Sequence, residues 1–179
     1  MATPETLGII AGNRDLPVLL AREARAAGVR RLVAVAMKGE TDETLAEHVD
    51  EITWVKVGQL NKLIKTFQTA DVTQCVMIGQ IAPDNLFSLR PDLRAMKLLV
   101  GLKKKNAHTI FGGIAAELAK DGIELIEATP WLQSAMPAKG FILGPQLTES
   151  QQADIEYGLR MATEIARLDI GQTVVVKNG

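Results

Sequence analysis

Two short apolar runs, Leu7-Gly8-Ile9-Ile10-Ala11 and Arg31-Leu32-Val33-Ala34-Val35-Ala36, enclose a single stretch of helical spacing. This arrangement constrains the fold more than any other feature of the chain. Runs of this length without polar alternation suit strands buried on both faces. Between them Leu16, Leu19, Leu20, Ala24 and Ala27 recur at intervals of three or four, the spacing of one helix face. Asp15 stands where a helix cap belongs, Pro17 fits the first turn, and Gly28 closes the stretch. A strand, a helix and a second buried strand form a crossover long enough for parallel pairing.

The pattern continues. A short helix is expected around 43–48. Ile52-Thr53-Trp54-Val55-Lys56-Val57 alternates and reads as a third strand nearer the sheet edge. Leu60, Leu63, Ile64 and Phe67 mark a helix face, and residues 72–78 a fourth strand. The order β-α-β-β-α-β predicts an α/β, Rossmann-like, mostly parallel sheet with helices on both faces. Helical periodicity returns over 90–105 and 109–121, with Gly122 as the stop, and Ile123-Glu124-Leu125-Ile126 is a fifth candidate strand. Residues 129–145 hold three prolines and two glycines and read as a loop or interdomain connection. Residues 148–168 read as a helix, with Thr148 and Gln151 spaced as a capping box, and Thr173-Val174-Val175-Val176 as a last strand. The expected organisation is a Rossmann-like domain over 1–135, a linker over 136–147, and the helix–strand start of a second α/β domain over 148–179.

Composition excludes several classes. With 47% apolar and 23% charged residues in 179, a packed core is available and disorder is not the default. A net charge of −1, from 20 basic and 21 acidic residues, gives no electrostatic case for nucleic acid. Cys75 is the only cysteine, so no internal disulfide forms, and its apolar surroundings mark it as a small buried hydrophobe. No run approaches the ~18 apolar residues of a membrane span, and the first residues carry no secretory signal. A cytoplasmic address is the expectation.

Several segments carry chemistry, each with a plain structural alternative. Gly12, Asn13 and Arg14 follow the first strand and precede a helix. Such a turn can aim backbone N–H groups and the positive end of the helix dipole at a phosphate; it can equally be a tight turn without a ligand. The G-x-G-x-x-G fingerprint is not completed, because Arg14 and Asp15 occupy the next positions. Gly79 and Gln80 follow the fourth strand, on the strand-end edge where open parallel sheets collect ligands, or form a glycine turn with a solvated amide. Lys103-Lys104-Lys105 reads as a solvated helix end or as a phosphate or acidic-membrane contact. His48 and His108 have no Cys/His cluster around them, which argues against zinc. Asp169 and Gln172, flanking Gly171, could position a metal or water beside a phosphate, or could simply end a helix.

The same stretches resemble the LpxI family of UDP-2,3-diacylglucosamine pyrophosphatases. The resemblance runs through Gly8 to Pro17, the Gly79–Pro83 turn, Asn106-Ala107-His108-Thr109-Ile110-Phe111-Gly112, and Ala153-Asp154-Ile155-Glu156-Tyr157-Gly158. Its strongest mark is Leu168-Asp169-Ile170-Gly171-Gln172. It implies hydrolysis of the nucleotide-lipid UDP-2,3-diacylglucosamine to UMP and 2,3-diacylglucosamine 1-phosphate in lipid A biosynthesis, assisted by Mg²⁺. It also implies a Rossmann-like N-terminal domain, a separate catalytic C-terminal domain, and a peripheral contact with the inner membrane. On this reading Gly12, Asn13, Arg14, Gly79, Gln80 and His108 contact substrate, while Asp169 and Gln172 belong to the catalytic side.

Two departures qualify the resemblance. Asn106-Ala107-His108 stands where many members carry Gly-Asp-Asp. The chain also stops before the family's acidic Glu-Gly-Thr-Asp-like segment, so most Mg²⁺ ligands are expected outside it and turnover by this chain alone is not expected. Two other classes fit the fold. An NAD(P)-dependent oxidoreductase is disfavoured by the absent third glycine and by a second strand closing at Val35-Ala36-Met37 without an acid. A non-catalytic nucleotide-binding or assembly module is the other, since an apolar second-domain stub favours a homo-oligomer.

Overall fold

A computed structural model describes residues 3–81, 91–102, 107–140, 143–168, 170–171 and 173–179, with the side chains of 107 and 108 outside that description. Two compact units are present, Met1–Met136 and Pro137–Gly179.

In the first unit five parallel strands form one sheet. They are β1 (Thr6–Ala11), β2 (Arg31–Met37), β3 (Glu51–Val55), β4 (Gln74–Ile78) and β5 (Glu124–Leu125), in the order β3-β2-β1-β4-β5. The alternating strand lies at the edge, as its pattern predicted. Because side chains alternate across a strand, each buried strand feeds two cores. Leu7, Ile9, Leu32 and Ala34 pack on one face with Leu20, Ala21 and Ala24 of α1 (Leu16–Ala26). Ile10, Val33, Val35 and Cys75 pack on the other with Leu60, Leu63, Ile64 and Phe67 of α2 (Leu60–Thr69), joined by Ala95 of α3 (Leu93–Gly101) and Leu118 of α4 (Ala107–Lys120). Gly28 (φ +96°) and Gly122 (φ +75°) follow the helices they were expected to close.

Polar ties fasten these layers. Arg94 on α3 donates from Nε to Glu117 on α4 at 2.7 Å and reaches Asp121. The Lys120 ammonium and then the Arg94 guanidinium hold the Glu117 carboxyl below its ordinary range. Asp50 accepts from the Leu32 N–H and from Arg25, both at 2.7 Å. Partial burial opposes the charged form of Asp50, yet those two donors hold its carboxyl below the usual range. Burial pushes the Cys75 thiol up to about 12, and its side chain is inaccessible. Iodoacetamide at pH 8 is therefore expected to leave native Cys75 unlabelled and to alkylate it fully in urea, read by mass spectrometry. Labelling of the native chain at the denatured rate would contradict this burial.

Three expectations need correction. Asp15 occupies the N-cap position of α1 but makes no side-chain cap. Its backbone is already helical (ψ −17°), and Pro17, one of the two usual donor positions, has no N–H. Residues expected to be loop after 129 begin as a 3-10 helix, Thr129–Ala135, whose Trp131 and Leu132 pack against the α1 core. Burial of those two side chains organises a segment that has no periodicity of its own.

The third correction lies in the second unit. There α5 (Glu149–Arg167) is closed at its start by a complete capping box of Thr148 and Gln151, as the sequence predicted. Thr173–Val176, expected as a strand, is not one. Among the described residues no strand lies beside it to complete a ladder, and β-propensity alone does not make one. Val174 and Val176 instead rest against Gly158 of α5, with Val175 93% exposed.

Candidate functional site

The connections leaving β1 and β4 diverge. From β1 the chain crosses through α1 to β2, and from β3 it crosses through α2 on the opposite face to reach β4. The carboxyl ends of β1 and β4 therefore flank the topological switch point, the place where sheets of this kind hold ligands.

Gly12 and Asn13 leave β1 there, and Gly79 and Gln80 leave β4. The structure brings these four residues together. The Gly12 N–H donates to the Ile78 carbonyl at 2.8 Å and the Asn13 N–H to the Gln80 carbonyl at 2.7 Å, giving an isolated antiparallel bridge between Asn13 and Gln80. The two backbones are so close that a Cβ on Gly12 would stand 2.4 Å from the Gln80 carbonyl oxygen. A Cβ on Gly79, whose φ is +91°, would stand 2.8 Å from the Asn13 carbonyl oxygen. Two of the N–H groups that the sequence offered to a phosphate are thus engaged by the protein itself. The first turn of α1, which follows the β1 turn, carries no side-chain cap.

Side chains complete the cluster. Asn13 Nδ2 donates to Glu40 Oε2 at 3.0 Å, while Asn13 Oδ1 is buried and has no hydrogen-bond partner among the described residues. Arg14 is exposed and adopts φ +66°, a conformation rare outside glycine. Thr41 is the buried hydroxyl that fixes the β2 turn: it donates to the Ala11 carbonyl at 2.7 Å and accepts from the Met37 N–H at 2.9 Å. The ends of β1 and β2 are joined through that one oxygen. Glu40 and Thr41 escaped the sequence reading. β2 does end at Met37 without an acid, but Glu40 returns from three residues further on, and only the fold reveals that return.

The other sequence candidates fall wholly or partly outside the described residues. His108 lies on the first turn of α4, and its side chain is outside the described residues. Asp169 and Gln172 are themselves outside the described residues, as are Ala82, Pro83 and Lys103 to Lys105. Among the described residues no group of three or more His, Cys, Asp or Glu side chains is placed to hold a metal. No described helix is long and apolar enough to cross a membrane.

The class defined by this fold and site is an open, parallel, Rossmann-like α/β domain with interlocked glycine turns at its switch point. Residues 6–135 match the LpxI N-terminal domain and residues 138–179 the LpxI C-terminal domain, and the chain belongs to the LpxI family. It is similar to UDP-2,3-diacylglucosamine pyrophosphatase LpxI of Caulobacter vibrioides, at 29% identity over 176 residues, which cover 97% of this chain and 62% of that protein. The chain spans about three-fifths of the length of that relative.

Proposed function

We propose that this chain holds the nucleotide end of UDP-2,3-diacylglucosamine for a pyrophosphatase of lipid A biosynthesis. The whole protein would release UMP and 2,3-diacylglucosamine 1-phosphate. The observation that carries the reading is membership of the LpxI family along both matched segments, with the similarity to the Caulobacter enzyme supporting the substrate. The cluster at the switch point supports the division of labour. Gly12, Asn13, Arg14, Gly79 and Gln80 stand where open α/β sheets receive phosphorylated ligands, with the first turn of α1 turned to the same edge.

Mg²⁺ belongs to the proposal through the family resemblance, as do Asp169, Gln172 and His108, a cytoplasmic address and contact with the inner membrane. The ion would neutralise charge on the pyrophosphate oxygens during water attack. The chain's own contribution at the described site is to bind and orient.

The test is calorimetric titration with UDP and with UDP-2,3-diacylglucosamine, followed by assay of UMP release with Mg²⁺. Binding of both without turnover is the expected result. Turnover would place the acids needed for hydrolysis within these residues. Absence of binding by either ligand would refute the nucleotide-holding role.

A further inference from the structure

Helix α3 buries one face and leaves the other open. Ala95 joins the core and Leu98 packs against it, while Leu93, Met96 and Val100 are 86%, 49% and 81% exposed. Spacings of three and four put those three exposed side chains in one row along the helix. Lys97 is exposed on the same face and makes no ion pair among the described residues. We infer that this row is a docking surface for an anionic lipid bilayer, which rests on the membrane contact included under Proposed function and gives it a place.

Charge selects the occupant. Between Asp92 and Glu117 the sequence has five basic residues and no acidic one, in a chain whose net charge is −1. Arg94 is engaged internally, by Glu117 and Asp121. The other four are Lys97 and, just after the helix in sequence, Lys103, Lys104 and Lys105. An exposed apolar row in a basic segment is the pattern of a helix lying in the interface of an anionic membrane. Its leucine and valine enter the acyl boundary, and each ammonium near the surface is drawn to the negative headgroups. A second copy of the chain fits less well, because a two-fold contact centred on the row sets Lys97 against its own counterpart.

Length and placement agree with that occupant. With nine residues, about 13 Å, α3 can lie along a bilayer but cannot span it. Asp92, directly before the row, accepts from the Asn61 N–H in the first turn of α2, and α2 follows the carboxyl end of β3. The row therefore begins on the strand-end side of the sheet, the side on which Gly12 and Gly79 leave their strands. A bilayer against it would meet the domain on the side proposed to receive the nucleotide.

Vesicle flotation tests the surface with two compositions, phosphatidylcholine alone and phosphatidylcholine mixed with phosphatidylglycerol. The chain is expected to float with the anionic vesicles only, and raised salt should release it. L93S/V100S should weaken that retention about tenfold or more, and K97Q about fivefold. Both variants should keep the parent circular dichroism, because all three side chains are exposed. Retention that L93S/V100S leaves intact would overturn the docking row, as would equal retention on both compositions or on neither. A dimer by light scattering that L93S/V100S dissolves would assign the row to a second copy and overturn it as well. UDP titration separates this surface from the nucleotide-holding role. UDP affinity is expected to be unchanged in L93S/V100S, so failure of the vesicle assay leaves that role standing, and absence of UDP binding leaves the docking row standing.

Discussion

Gly12→Ala is expected to destabilise the N-terminal unit by about 3 kcal/mol or more, at the upper end of what overpacking causes. The reason is the neighbour the new methyl would meet. At 2.4 Å from the Gln80 carbonyl oxygen and 2.8 Å from the Gln80 nitrogen, it presses on backbone, which has no rotamer with which to move away. Relief requires the two turns to part, and that breaks the Asn13 N–H bond to Gln80, itself worth about 1 kcal/mol. Gly39→Ala is the informative contrast. Gly39 has φ +78° but nothing within 4 Å of its absent Cβ, so its substitution carries only the conformational penalty, about 1–2 kcal/mol. Urea denaturation followed by circular dichroism measures both. A Gly12→Ala midpoint indistinguishable from the parent would show that the turns do not touch in solution. On the proposed function, UDP affinity should also fall with Gly12→Ala, because the two turns at the proposed phosphate edge have moved apart.

That contact also marks the limit of what the sequence displayed. Each glycine turn was legible alone, since Gly12 ends an apolar run and Gly79 ends another. Their mutual contact was not, because it depends on β1 and β4 becoming neighbours, with Gly8 to Ala11 in register with Cys75 to Ile78. Local signals survived translation into structure where the partner is also local. The Thr148–Gln151 capping box is one case, and the alternation that put β3 at the edge is another. Long-range partners broke the pattern. Glu40 reaches back 27 residues to Asn13, and Thr41 reaches back 30 to Ala11. Thr173–Val176 shows the converse: a sequence with local preferences for a strand stays without a ladder when no strand among the described residues is beside it.

Asp92→Ala is expected to cost about 2–4 kcal/mol, because one carboxylate closes the starts of two helices. Its Oδ1 accepts from the Ala95 N–H at 2.9 Å, capping α3, and its Oδ2 accepts from the Asn61 N–H at 2.7 Å in the first turn of α2. The residue at the cap position of α2, Gln59, offers no substitute, since its side chain accepts from Lys56 instead. Removing the carboxylate therefore orphans a donor in each helix, and each cap alone is worth about 0.5–2 kcal/mol. Asp92→Asn separates the contributions: an amide keeps one acceptor oxygen and sets a donor against the other N–H, so about half the loss should return. Hydrogen exchange locates the effect, with protection expected to fall in the first turns of both α2 and α3. A fall confined to α3 would mean that Asp92 caps only its own helix, and a total loss below about 0.5 kcal/mol would mean that water replaces both bonds. The consequence extends to the site, because α2 packs beneath the face of the sheet that carries Cys75, and β4 ends in the turn that grips Gly12. Loosening α2 should thus weaken UDP binding without any substitution at the strand-end edge.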